Sequence, residues 1–95
     1  MKDQDSFHTR LEDVHEFPCD FVIKVIGSNT AEFVTSVIQA SVNVLGTEAQ
    51  PGVDTRESSG GNHISVTLTV RVASAEQVID VYTILNDVEG VRFLL

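Results

Sequence analysis

The sequence predicts an α+β domain of the ferredoxin-like type, a βαββαβ sandwich in which a four-stranded antiparallel sheet carries two helices on one face. Three observations predict it. Segments 19–26 and 64–72 alternate apolar and polar residues with period two. Segments 30–45 and 75–88 carry apolar residues at helical spacing behind capping boxes. In chain order these four fall among two weaker strand candidates as β-α-β-β-α-β, so both helices must bury their stripes against the same face of one sheet.

Residues 1–16 are polar and acidic and read as a flexible N-terminal arm, with one short helical turn over 9–14. The domain covers 17–95. It opens at Phe17-Pro18, where a proline without an amide hydrogen suits the very start of a strand. Over 19–26, Cys19, Phe21, Ile23 and Val25 share one face, and Asp20, Val22, Lys24 and Ile26 the other. Gly27-Ser28 ends this strand. Asn29, with Glu32 three residues on, forms a capping box for the helix over 30–45. Phe33, Val37, Ala40 and Val44 line its stripe, and Gly46 stops it. Its many β-branched residues lower its intrinsic propensity, so packing on a sheet must hold it.

Pro51-Gly52 marks a turn, and 53–58 has charges on both faces, which suits an edge strand. Ser58-Ser59-Gly60-Gly61-Asn62 reads as a hairpin turn. Ile64, Val66, Leu68, Val70 and Val72 then alternate with polar residues, which fixes the side that faces the core. Ser74 and Gln77 make the second capping box. Val78, Val81, Tyr82, Leu85 and Val88 stripe the helix over 75–88, Gly90 closes it, and 91–95 is the last strand.

Composition narrows the function classes. Ninety-five residues make one domain, and 42% hydrophobic residues allow a core without staples. The single Cys19, the polar run directly after Met1 and the lack of any apolar run near roughly 20 residues predict a cytoplasmic protein that does not cross a membrane. A net charge of −8 repels phosphate backbones and anionic lipid, and the six bases are scattered in sequence, so neither nucleic acid nor membrane is an expected partner. The outward positions of the two central strands offer Val22, Lys24, Thr67 and Thr69 in place of the aromatic rings on which RNA bases would stack.

Candidate sites follow from the architecture. With both helices on one side, Asp20, Val22, Lys24, Ile26, Ser65, Thr67, Thr69 and Arg71 point from the open face, with Arg92 and Leu94 beside them. A solvated sheet rich in threonine is one account of that face. A dimer or partner surface built on Val22, Lys24, Ile26, Thr67, Thr69, Arg71 and Leu94 is the other. The Gly27-Ser28-Asn29 turn offers main-chain N–H groups and a capping oxygen where a carboxylate could bind, against the plainer account of a capped helix start without a ligand. The 58–62 loop is a second candidate contact.

No cofactor or metal is expected, because His8, His15 and Cys19 match no zinc spacing. Catalysis has little to stand on. Cys19 beside Asp20 has a disfavoured thiolate, and an enzyme would require a pocket that gathers Asp20, His63 and Arg71.

Particular residues also carry a family resemblance. Phe17-Pro18-Cys19-Asp20-Phe21 followed by Lys24-Val25-Ile26-Gly27 resembles the opening of the YbeD-like family of small bacterial proteins. Ser58-Ser59-Gly60-Gly61-Asn62 leading into 64–70 is similar to its second signature, and Glu76-Gln77, Tyr82, Leu85, Val91-Arg92 and the terminal leucine pair extend the match over 16–95. The resemblance implies a ferredoxin-like domain comparable to the amino-acid-binding ACT regulatory domains, in which the turn after the first strand is the usual effector position and a second copy completes the site. The family itself has no established activity. This chain departs from it at Gly60, where many members have lysine, and at His63, where they have tyrosine.

The expected function is therefore a non-enzymatic regulatory or interaction module. It would form a homo-oligomer or dock on a protein partner through the open face, with a small carboxylate metabolite as candidate effector. The alternative is a ligand-free adaptor.

Overall fold

The computed structural model describes residues 10–11 and 16–95. The elements are β1 (Cys19–Ser28), α1 (Ala31–Leu45), β2 (Gly52–Glu57), β3 (His63–Val72), α2 (Ala75–Asn86) and β4 (Val91–Leu94), in a four-stranded sheet of order β2-β3-β1-β4. Every pairing is antiparallel. The predicted βαββαβ sandwich is the observed one.

The alternation read from the sequence sets the register. Ile23 faces Leu68 and Val25 faces Val66 across β1 and β3, and all four side chains are buried. Phe33, Val37 and Ala40 of α1 and Val78, Val81 and Leu85 of α2 close on the same side, which makes one core of the sheet's inner face and two helix stripes. Each such valine, leucine or phenylalanine side chain contributes about 1.5–3 kcal/mol through removal from water, enough to hold the β-branched α1 in a helix. Ser41 is the buried polar residue of α1, and its Oγ donates to Ile38 O at 2.7 Å. β2 lies beyond the helices and is exposed on both faces, as an edge strand with charges on each side should be.

Four sequence expectations change. The cap of α1 is Thr30, whose Oγ1 accepts from Phe33 N–H at 3.0 Å; Asn29 stands one residue outside. β1 runs on through Gly27 and Ser28 because Gly27 packs its bare Cα against the Phe33 ring and Gly90 O, and a Cβ there would collide with both. Leu94 pairs with Val25 and so lies on the helix side of the sheet, not on the open face. The cause is a register shift between Ile26 and Gly27, where β4 carries Arg92 as an extra residue and the alternation behind it reverses. The fourth concerns the arm. Leu11 is helical and 5% exposed, part of the core, while most of 1–16 lies outside the described residues.

At α2 the cap is as expected, with Ser74 Oγ accepting from Gln77 N–H at 3.2 Å. The reciprocal bond is displaced by one residue, and Gln77 Oε1 accepts from Ala73 N–H at 2.7 Å.

Candidate functional site: the open face of the sheet

Cross-strand partners share a face, so the registers lay out the open side in rows. One row holds Gly52, Thr69 and Val22; the next Asp54, Thr67 and Lys24; a third Arg56, Ser65, Ile26 and Phe93. Leu95 exchanges both backbone hydrogen bonds with Lys24, at 2.8 and 3.0 Å, which extends the second row. Asp20 and Arg71 are partners at one end and form an exposed ion pair at 3.4 Å.

Of the predicted surface residues, Val22, Lys24, Ile26, Thr67, Thr69 and Arg71 all lie on this face, and Phe93 takes the place assigned to Leu94. Val22, Phe93 and Leu95 are large apolar side chains left 60%, 64% and 65% exposed. The bases, scattered along the sequence, converge here. Lys24, Arg56, Arg71 and Arg92 lie on the open face with Asp20 and Asp54, in a chain of 14 acids and 6 bases. Periodicity could have found Arg56, which falls in phase with the outward set. The bulge that exposes Phe93 has no comparable signal.

A cleft of about 520 Å³ opens at the other end of the face, lined by Ile26, Ser58, His63, Ser65, Arg92 and Phe93. The 58–62 hairpin forms its rim. Gly61 has φ +75°, a left-handed conformation that suits glycine, and Ser58 Oγ accepts from His63 N–H at 3.2 Å. Asn29 ties this hairpin to the turn after β1, since its Nδ2 donates to Gly61 O at 2.9 Å and to Glu57 Oε1 at 3.0 Å. The two loops singled out separately in the sequence are thus neighbours.

The Gly27-Ser28-Asn29 turn is arranged differently from the carboxylate site expected of it. Ser28 N–H is spent on Gly90 O and Thr30 N–H on Ser28 O. The adjoining hollow of about 290 Å³ includes Glu32 and Glu89, whose charge opposes an anion. The enzymatic grouping is not assembled either. Asp20 meets Arg71 at one end of the sheet, whereas His63 pairs with Ser28, eight residues further along β1 and about 26 Å away at 3.3 Å per residue. Among the described residues no group of three His, Cys, Asp or Glu is placed to hold a metal; His8 and His15 fall outside them. No helix among the described residues is long and apolar enough to cross a membrane.

A helix-backed antiparallel sheet with one open, polarised face defines an α+β domain of the ferredoxin-like fold. The chain belongs to the bacterial family described as "Protein of unknown function (DUF493)", whose model matches residues 12–95, the YbeD-like group that the sequence motifs resemble. Among its curated relatives, a UPF0250 protein of Paraburkholderia phytofirmans is 40% identical over 85 residues, with 88% of this chain and 94% of the relative covered. One from Edwardsiella ictaluri is 36% identical and covers 92% and 98%. Among solved structures, protein HP0495 from H. pylori superposes with a TM-score of 0.74 at 12% identity, covering 86% of each chain. The ACT domain from the GTP pyrophosphokinase of Chlorobium tepidum gives 0.60 at 12% identity, covering 81% of this chain and 97% of that one. At such identities the two structures establish the fold alone.

Proposed function

We propose that this chain is a non-enzymatic cytoplasmic module of regulatory or adaptor type, which works by docking its open sheet face on an acidic, partly apolar surface of a partner protein. The observation that carries this reading is the coincidence on one face of four of the six bases with the exposed side chains of Val22, Phe93 and Leu95. Oppositely charged surfaces steer association, and exposed apolar groups of this size supply the buried centre of a contact. A second copy of the chain fits this face less well. Face to face, four bases against two acids on each side leave net repulsion. The neighbour that is an ACT domain of a pyrophosphokinase supports a regulatory role by analogy of fold.

Retention of a partner from bacterial lysate by immobilised protein tests the docking. Binding should fall with salt and be lost in the Arg56→Glu, Arg92→Glu double variant; retention indifferent to both would overturn it. A metabolite effector is tested separately by melting the protein with amino acids and other small acids, since a ligand of the folded state raises the melting temperature.

A further inference from the structure

We propose that the cleft beside Arg92 and Phe93 is a binding site for a small organic anion with an apolar body, such as an aromatic or branched carboxylate or phosphate ester. This rests on the reading of the chain as a regulatory module, and its test needs no partner protein.

The cleft's lining divides by chemistry. Ile26 and Phe93, register partners on β1 and β4, form an apolar floor and wall. Around them stand Arg92, His63, Ser65 and Ser58, and the β2–β3 register sets Arg56 beside Ser65. These polar groups are available. Neither Arg56 nor Arg92 makes an ion pair or side-chain hydrogen bond with a described residue, nor does the His63 ring or the Ser65 hydroxyl. Ser58 Oγ already accepts from His63 N–H, which leaves its hydroxyl hydrogen to donate elsewhere. The Arg92 guanidinium and two hydroxyls therefore line the cleft as donors over an apolar surface, with Arg56 on the adjoining strand, in a chain whose net charge is −8. The volume of about 520 Å³ lies within the usual range of small-molecule sites.

The bulge makes this geometry. Because β4 carries an extra residue at Arg92, Arg92 and Phe93 both line the cleft, where regular alternation would send them to opposite faces. Charge and apolar surface thus reach the same ligand from consecutive residues. The cleft also lies within the docking face, so an occupant and a protein partner would compete for Arg92 and Phe93.

Amide chemical shifts of the whole chain, followed by NMR during titration, test the site. The probes are phenyl phosphate, benzoate, inorganic phosphate and neutral benzyl alcohol. Saturable shifts confined to Ile26, Ser58, His63, Ser65 and Phe93 are expected with at least one aromatic anion. Whether phenyl phosphate or benzoate binds tighter identifies the head group. Inorganic phosphate and benzyl alcohol should each bind about tenfold more weakly or not at all, since each lacks half of the complement. Arg92→Gln should weaken the aromatic anion about tenfold, while Arg71→Gln, at the far end of the face, leaves it unchanged. No saturable shift with either aromatic anion, or equal affinity in Arg92→Gln, would overturn the site. Partner retention indifferent to salt and to the Arg56→Glu, Arg92→Glu double variant, with these shifts intact, would instead reject the docking surface alone.

Discussion

Ile26 and Phe93 are register partners across β1 and β4, and their side chains meet on the side of the sheet away from the helices. Phe93 is nonetheless 64% exposed. An aromatic ring left in water on a strand buries little on folding, so its removal should hardly change stability. Phe93→Ser is expected to lower unfolding free energy by less than about 1 kcal/mol in urea titrations and to weaken partner retention several-fold. A large stability loss would mean that the ring belongs to the core.

Gly27 is held to its small size by packing. A Cβ there would collide with Gly90 O and the Phe33 ring, whose Cε1 would lie at 2.6 Å. Gly27→Ala should therefore cost about 1–3 kcal/mol through overpacking, read as a lower urea midpoint at unchanged slope. Gly60→Ala, whose Cβ would meet Asn62 Nδ2 at an ordinary 3.6 Å, is the matched control and should be near neutral.

Thr30 and Asn29 are adjacent but hold different elements. Thr30→Ala removes the N-cap of α1 and should cost about 1 kcal/mol. Asn29→Ala should leave the helix intact and loosen the 58–62 hairpin, which it clasps through Gly61 O. Hydrogen exchange separates them: the Asn29 variant speeds exchange in the hairpin, and the Thr30 variant in the first turn of α1. Helix amides that respond to Asn29→Ala would restore it as the cap.

Tyr82 sits against Phe21 edge to face, with ring centres 6.4 Å apart, and burial raises its phenol above the ordinary value of 10.0. In the unfolded chain the phenol loses its proton near 10, while in the folded chain it keeps it to higher pH. Over that interval the folded state holds more protons, so stability is fully present below pH 10 and falls as pH rises through the folded value. Because this is the single tyrosine and there is no tryptophan, tyrosinate absorbance reads the folded titration directly. Tyr82→Phe should flatten that alkaline loss; an equally steep fall in the variant would place its origin elsewhere.

The sequence made legible whatever depends on periodicity. Ile64 to Val72 alternates without a break, so its register and buried side could be read in advance, and the stripes of both helices then had one face to cover. Where two side chains compete for a role, the pattern was silent. Asn29 and Thr30 are both good caps, and the choice follows from Asn29 reaching Gly61 across a gap of 32 residues. Alternation from Arg92 places Leu94 on the open face, and it holds until one extra residue enters β4. The gathering of Lys24, Arg56, Arg71 and Arg92 is a product of strand order, invisible until β2, β3, β1 and β4 lie side by side.

The working face is most directly identified by site-specific photo-crosslinking in living cells. A photoreactive residue at Thr67, central on the open face, should yield a discrete protein adduct that disappears when Arg56 and Arg92 are changed to glutamate. One at Gln39, exposed on α1, should yield none. An adduct from Gln39 with nothing from Thr67 would contradict the assignment and move the functional surface to the helices.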